Sequence, residues 1–159
     1  MLKSTIILAV LFAALLPGAL ATFDYVGTND KYHDIMEESY KHAAPPEIGL
    51  LEISCFFWED RVTITPTIDN VTELNIEKAV LAAIDPYMAF YGEHKYPGKA
   101  EIFVNKAGGA IGTQIGSGTI YSKWVDDLKY DQNGRPTNES WGIFFGKVRD
   151  TIRVYEWNY

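Results

Sequence analysis

The sequence predicts an α+β fold, an antiparallel sheet built largely from hairpins with one long helix, at about residues 73–91, packed across a face. Three observations carry this. Two segments hold apolar residues at three- and four-residue steps, the mark of amphipathic helices. Several short runs rich in β-branched and aromatic residues are joined by turn residues. Strand and helix patterns do not alternate regularly, which argues against a doubly wound parallel sheet.

The amino terminus sets the compartment. "MLKSTIILAVLFAALLPGALA" carries Lys3, an apolar run from Ile6 to Leu16, the helix-breaking pair Pro17-Gly18, and small residues at Ala19 and Ala21. This is the tripartite pattern of a cleavable secretory signal over residues 1–21. The apolar run is shorter than the roughly 20 residues that cross a bilayer, so no membrane span is expected after cleavage. Residues 22–159 then form a single extracytoplasmic domain, with 22–28 as a flexible lead-in. Loss of Lys3 takes the net charge from −7 to −8. So acidic a chain repels a phosphate backbone, which excludes nucleic acid as a partner. Cys55 is the single cysteine; with no thiol to pair with inside the chain, it reads as a small buried apolar residue.

The elements follow in order. "NDKYHDIMEESYKH" places Tyr32, Ile35, Met36, Ser39 and Tyr40 at helical spacing, and Pro45-Pro46 ends that helix. "IGLLEISCFFWEDRVTITPTI" reads as a hairpin turning at Glu59-Asp60. Its first arm, Ile48 to Trp58, is almost wholly apolar and suggests a strand buried on both faces. Pro66 lacks a ladder donor, so the second arm is expected to end there or to lie at a sheet edge. In the long helix, Ile76, Val80, Ile84, Tyr87, Met88 and Tyr91 share a face. Asn70 is the expected cap, with Thr72 its rival. Asp85-Pro86 predicts a kink or a second helix starting at Pro86, and Gly92 closes the element. A strand covers 99–104. Tyr121, Trp124, Val125 and Leu128 stand at helical spacing, yet strand and helix both remain open for 119–129. After the polar loop 131–140, "WGIFFGKV" and "TIRVYEW" suggest a second hairpin joined by Arg149-Asp150.

"NKAGGAIGTQIGSG", residues 105–118, holds five glycines. It lacks the Gly-Lys-Ser/Thr of a phosphate loop and does not match Gly-x-Gly-x-x-Gly. Taken as an extended strand from Ala110, it puts Ile111, Thr113, Ile115, Ser117, Thr119 and Tyr121 on one face, and Gly112, Gly116 and Gly118 on the other. Bare backbone in a strand marks close approach by another element or by a ligand. Packing by an aromatic ring or the long helix is the first reading; a bound ligand or a mobile flap are the others.

No local motif names a chemistry. His33 and His42 stand too far apart on their helix to share a metal, and His94 lies in a loop; no metal and no cofactor are expected. Asp126 and Asp127 beside Trp124 resemble part of a sugar-binding or glycosidase cleft, where an aromatic face stacks on the ring. Aromatic residues make up 14% of the chain, a hint of a binding role, since tyrosine and tryptophan join an apolar body to a polar tip. The candidate ligand-binding residues are therefore Gly112, Gly116, Tyr121, Trp124, Asp126 and Asp127, with no catalytic residue singled out. Asn70 and Asn138 begin triplets that fit the N-glycosylation pattern. The expected function is a non-catalytic binding or accessory role toward a protein, small-molecule or glycan ligand; the alternative is an extracytoplasmic hydrolase of carbohydrate or peptide.

Export with loss of residues 1–21 has a direct check. Intact-mass analysis of the exported protein should place Thr22 at the amino terminus, whereas recovery of Met1 in a membrane fraction would reveal an uncleaved anchor.

Overall fold

The structure, a computed structural model, describes residues 29–108 and 113–155. Residues 1–28, on which the expected signal and lead-in fall, and Gly112 lie outside them. The chain divides into two units, Met1–Tyr32 and His33–Tyr159. Of the first, only the opening turn of helix α1 (Asn29–Ala43) is described; the rest of the account concerns the second.

A five-stranded sheet runs in the order β1-β2-β3-β4-β5. Its strands are β1 (Leu50–Phe57), β2 (Arg61–Ile68), β3 (Lys99–Lys106), β4 (Gln114–Tyr121) and β5 (Arg153–Val154). The fold is α+β, and the sheet is mostly antiparallel. One pair departs from the expected pattern: β2 and β3 are parallel. Between them lie two helices, α2 (Glu73–Leu81) and α3 (Ile84–His94). A parallel pair needs such a crossover, because a tight turn cannot reverse the chain twice.

The expected long helix is thus two. The break falls at Ala82-Ala83, ahead of Asp85-Pro86, and Pro86 sits in the first turn of α3, where a missing N–H costs nothing. Thr72, not Asn70, caps α2: its hydroxyl accepts from the Asn75 N–H at 3.1 Å. Gly92 does not end α3, which runs on to His94 and is closed by Lys95 in the left-handed region.

The first strand is a sheet edge, not a doubly buried centre. Ile53, Cys55 and Phe57 face the core, while Leu51, Phe56 and Trp58 are exposed. Its outer margin is met by α1, where the Glu37 carboxylate accepts from the Cys55 N–H at 3.0 Å. A charged acceptor on an edge N–H blocks pairing by another strand. Pro66 lies inside the sheet after all. It stands where the parallel pairing lapses, between Ile64↔Ile102 and Thr67↔Asn105, so its missing donor is absorbed by the irregularity.

The second expected hairpin is absent. Residues Asn138–Thr151 form helix α5, capped by Thr137, whose hydroxyl accepts from the Ser140 N–H. Trp141, Phe144, Phe145 and Val148 carry the helical period that the glycines at 142 and 146 disguise. Only Arg153–Val154 pairs with β4. The segment left open resolves as both: strand through Tyr121, then the short helix α4 (Ser122–Asp126).

The core lies between one sheet face and the helices. Val62, Ile64, Ile68, Ala100, Ile102, Val104 and Ile120 point inward and are fully buried. Opposite them, Ile76 and Val80 of α2 approach the glycines of β4. A β-carbon added to Gly116 would collide with Ile76 Cγ2 and lie 3.0 Å from the Arg153 carbonyl oxygen; one added to Gly118 would collide with Val80 Cγ1. The helix therefore occupies the bare face at these two positions. The faces read from Ala110 onward do not hold throughout, because a register shift between Val104 and Asn105 lets Ile115 be buried beside Gly116.

Gly116→Ala adds only the methyl group for which α2 leaves no room. Overpacking of this kind costs about 1–3 kcal/mol, read as a lowered denaturant midpoint. Ile76→Ala in the same chain should offset part of the loss, so the double variant should be less destabilised than the sum of the single ones. Strict additivity would show that the two side chains do not meet.

Candidate functional site

The chain around α4 and α5 is held by a short backbone network. The Ser122 N–H donates to the Gly98 carbonyl at 2.9 Å, which turns the chain out of β4. Val125 and Leu128 are buried and anchor α4 and its exit. The Thr137 N–H then donates to the Lys129 carbonyl at 2.7 Å. Ser140 completes the closure: its hydroxyl accepts from the Lys129 N–H at 3.2 Å and lies 3.1 Å from the Lys129 carbonyl. These bonds pin Lys129 against the first turn of α5.

A cleft of about 180 Å³ results, lined by Trp124 and Asp127 on one side, Lys129 at the pinned loop, and Glu139, Ser140, Ile143, Phe144 and Lys147 along α5. Residues 140, 143, 144 and 147 are one face of a helix, two turns long. Phe144 forms a buried floor, Trp124 is half-buried, and Ile143 is exposed at the lip. Lys147 Nζ approaches Asp127 Oδ2 at 3.4 Å, a solvent-exposed pair that contributes little. Among the described residues, neither Lys129 Nζ nor the Glu139 carboxylate has an ion-pair partner.

Of the residues singled out in the sequence, Trp124 and Asp127 meet in this cleft. Tyr121 stands edge-on to Trp124, ring centres 4.7 Å apart, with Lys123 Nζ 5.6 Å from its own ring centre. Asp126 is not a member: its Oδ2 accepts from the Tyr91 hydroxyl at 2.7 Å. Gly116 lies under α2, away from these residues. Asn70 and Asn138 are both exposed. The Asn70 amide donates to the Glu47 carbonyl at 2.9 Å, and the hydroxyl residues of the two triplets, Thr72 and Ser140, are both spent on helix starts. His33 packs on the rings of Phe56 and Phe57.

Sequence reasoning missed Lys129, Glu139, Ser140, Ile143, Phe144 and Lys147. The signal was present: Thr137 followed by Asn138-Glu139-Ser140 is a helix start, and the apolar positions after it recur at three and four. Reading 141–148 as a strand scattered these residues onto opposite faces.

Among the described residues, no group of three or more His, Cys, Asp or Glu side chains is placed to hold a metal ion, and no helix is long and apolar enough to cross a membrane. No protein-family model, curated protein or solved structure matches the chain.

The large shifts in titration lie in the core. Burial pushes the Cys55 thiol well above its ordinary value, with the Glu37 carboxylate adding to the effect. Burial likewise raises the Tyr40 and Tyr87 phenols. The hydrogen bond to Asp126 raises Tyr91. A thiolate is disfavoured at Cys55, so the residue is not a ready nucleophile.

These shifts fix the sign of the alkaline response. The folded chain keeps these protons to higher pH than the unfolded chain, whose thiol and phenols titrate near 9.0 and 10.0. The stabilisation is complete below those values and is lost as pH rises through and beyond them. Denaturant midpoints should therefore decline from about pH 9 upward, and Tyr40→Phe should flatten the part of the decline above about pH 10. A midpoint that holds constant through this range would contradict the buried phenols.

Proposed function

We propose that this chain is a non-catalytic binding domain acting outside the cytoplasm, with a small ligand seated in the cleft between α4 and α5. The observation that carries the reading is the composition of that cleft: an apolar floor and a half-buried indole, ringed by charged side chains at the rim. Ligand sites combine an apolar body with a few convergent polar groups. The extracytoplasmic assignment rests on the pattern of residues 1–21.

The hydrolase alternative draws less support. Glycoside hydrolysis places two carboxyl groups on either side of one bond. Here Asp126 accepts from Tyr91, and Asp127 pairs with Lys147 at the rim, its side chain 67% exposed, which leaves Glu139 as the cleft carboxylate without an ion-pair partner among the described residues. Ser140, the hydroxyl in the cleft, is engaged by the Lys129 backbone and Thr137.

Amide and indole chemical shifts of the labelled protein check this reading. A panel of glucose, N-acetylglucosamine, leucine and a neutral dipeptide is added in turn at millimolar concentration. Saturable shifts at Trp124, Ser140 and Ile143 with at least one probe are expected, with no turnover of chromogenic glycosides or peptides. Turnover abolished by Asp127→Asn would favour the hydrolase, and a silent cleft would remove the binding site.

A further inference from the structure

We infer that the cleft between α4 and α5 selects a free α-amino acid with a large apolar side chain. The inference rests on the binding role proposed above and narrows its ligand class.

Size is the first constraint. About 180 Å³ falls below the roughly 300–1,000 Å³ of sites for drug-sized ligands. The occupant is one ring or one side chain with its polar attachments, not an oligomer.

Polarity is the second. Seven of the eight lining residues are Trp124, Phe144 and Ile143, which are apolar, and Asp127, Lys129, Glu139 and Lys147, which are charged. The eighth, Ser140, has its hydroxyl engaged by Lys129 and Thr137. No carboxamide lines the cleft. A neutral sugar could hydrogen-bond the carboxylates, but it carries no charge and would leave Lys129 and Glu139 without a counterion.

The arrangement of charge is the third. Lys147 and Asp127 face each other and cancel. Lys129 and Glu139 are left as one cation and one anion in the lining, with the Lys129 backbone held against the first turn of α5, where Glu139 sits, by the Ser140 hydroxyl. An α-amino acid carries an ammonium and a carboxylate on one carbon. Its ammonium fits the Glu139 carboxylate, its carboxylate fits Lys129, and its side chain lies along Ile143 and Phe144 toward Trp124. A peptide amino terminus supplies only the ammonium, and a fatty or acylated acid only the carboxylate. Each leaves one of the two charges without a counterpart, which a charge-assisted pair would otherwise reward.

Titration of the protein spanning residues 22–159 with three probes separates these cases: leucine, leucinamide, which lacks the carboxylate, and N-acetylleucine, which lacks the ammonium. Binding is read from amide shifts at Ser140 and Ile143. Leucine should bind, and the two blocked forms should bind at least about fivefold more weakly. Glu139→Gln should weaken leucine about fivefold while leaving N-acetylleucine unchanged; Lys129→Met should do the same with leucinamide as the unchanged probe. Both side chains are exposed, so folding is not at stake, and far-UV circular dichroism verifies it. Equal binding of leucine and either blocked form overturns the inference, as does the absence of leucine binding. If glucose or N-acetylglucosamine then shifts the same amides, the binding domain stands and only its ligand class is wrong. A cleft silent to every probe removes both.

Discussion

The seating of α2 on the glycine face of β4 is the contact on which the rest of this fold depends. Gly116 and Gly118 offer backbone where any other residue would offer a side chain, and Ile76 and Val80 fill that space. A strand with side chains at both positions would hold the helix farther out, forfeiting dispersion contacts along two turns. Because α2 lies in the crossover between β2 and β3, its depth also fixes how α3 enters and how the parallel pair closes. Arg149 of α5 reaches Glu77 of α2 at 2.6 Å, but this exposed pair only trims an orientation already set by buried Phe144 and Val148.

The same layering leaves the opposite sheet face without a helix among the described residues. Its strands alternate between buried and half-exposed positions, Thr63, Thr65 and Thr67 taking the outward side of β2. That asymmetry is the usual consequence of packing helices on one side of a largely antiparallel sheet. The sheet margins are managed separately. Glu37 takes the Cys55 N–H at one margin; at the other, the Thr151 hydroxyl accepts from the Thr119 N–H at 2.8 Å where β5 is too short to reach. Both guards are side chains from helices, so helix placement and protection of the strand edges are one problem with one solution.

What the sequence disclosed depended on whether a local pattern had one meaning. The glycine alternation could be read because few arrangements tolerate bare backbone along a strand, and the helix that covers it was identifiable from Ile76 and Val80. The hairpin at Glu59-Asp60 was legible for the same reason. The apolar run 48–58 had two meanings, and the structure chose the less obvious one: its outward residues are exposed beside α1 instead of buried under a second layer. The parallel pairing of β2 with β3 left no local trace, since strand direction is decided by the crossover and not by either strand. The helix at 138–151 was obscured by Gly142 and Gly146, which lower helix propensity without altering the spacing of Trp141, Phe144, Phe145 and Val148. That error concealed most of the cleft, because its lining becomes one surface only when wound at 3.6 residues per turn.

Trp124 and Asp127 were legible as a pair because they are close in sequence, on one short helix and its C-cap. Lys129 and Glu139 were not, because they stand ten positions apart across the loop 130–137 and a buried hydroxyl reunites them. Ser140 thereby answers two descriptions of one triplet. As the third residue of Asn138-Glu139-Ser140 it completes a glycosylation pattern; as the anchor of Lys129 and a partner of Thr137 it holds the start of α5. Thr72 repeats the coincidence at Asn70-Val71-Thr72, where it caps α2. Helix starts favour asparagine, serine and threonine because their short polar side chains bond free N–H groups, and the same residue types compose the acceptor triplet. Capping is therefore sufficient reason for Thr72 to be where it is; at the start of α5 the cap is Thr137, and Ser140 serves it by bonding Thr137 and Lys129. At Asn138 the two uses also compete in space, since a glycan there would stand one residue from Glu139, in the lining of the cleft.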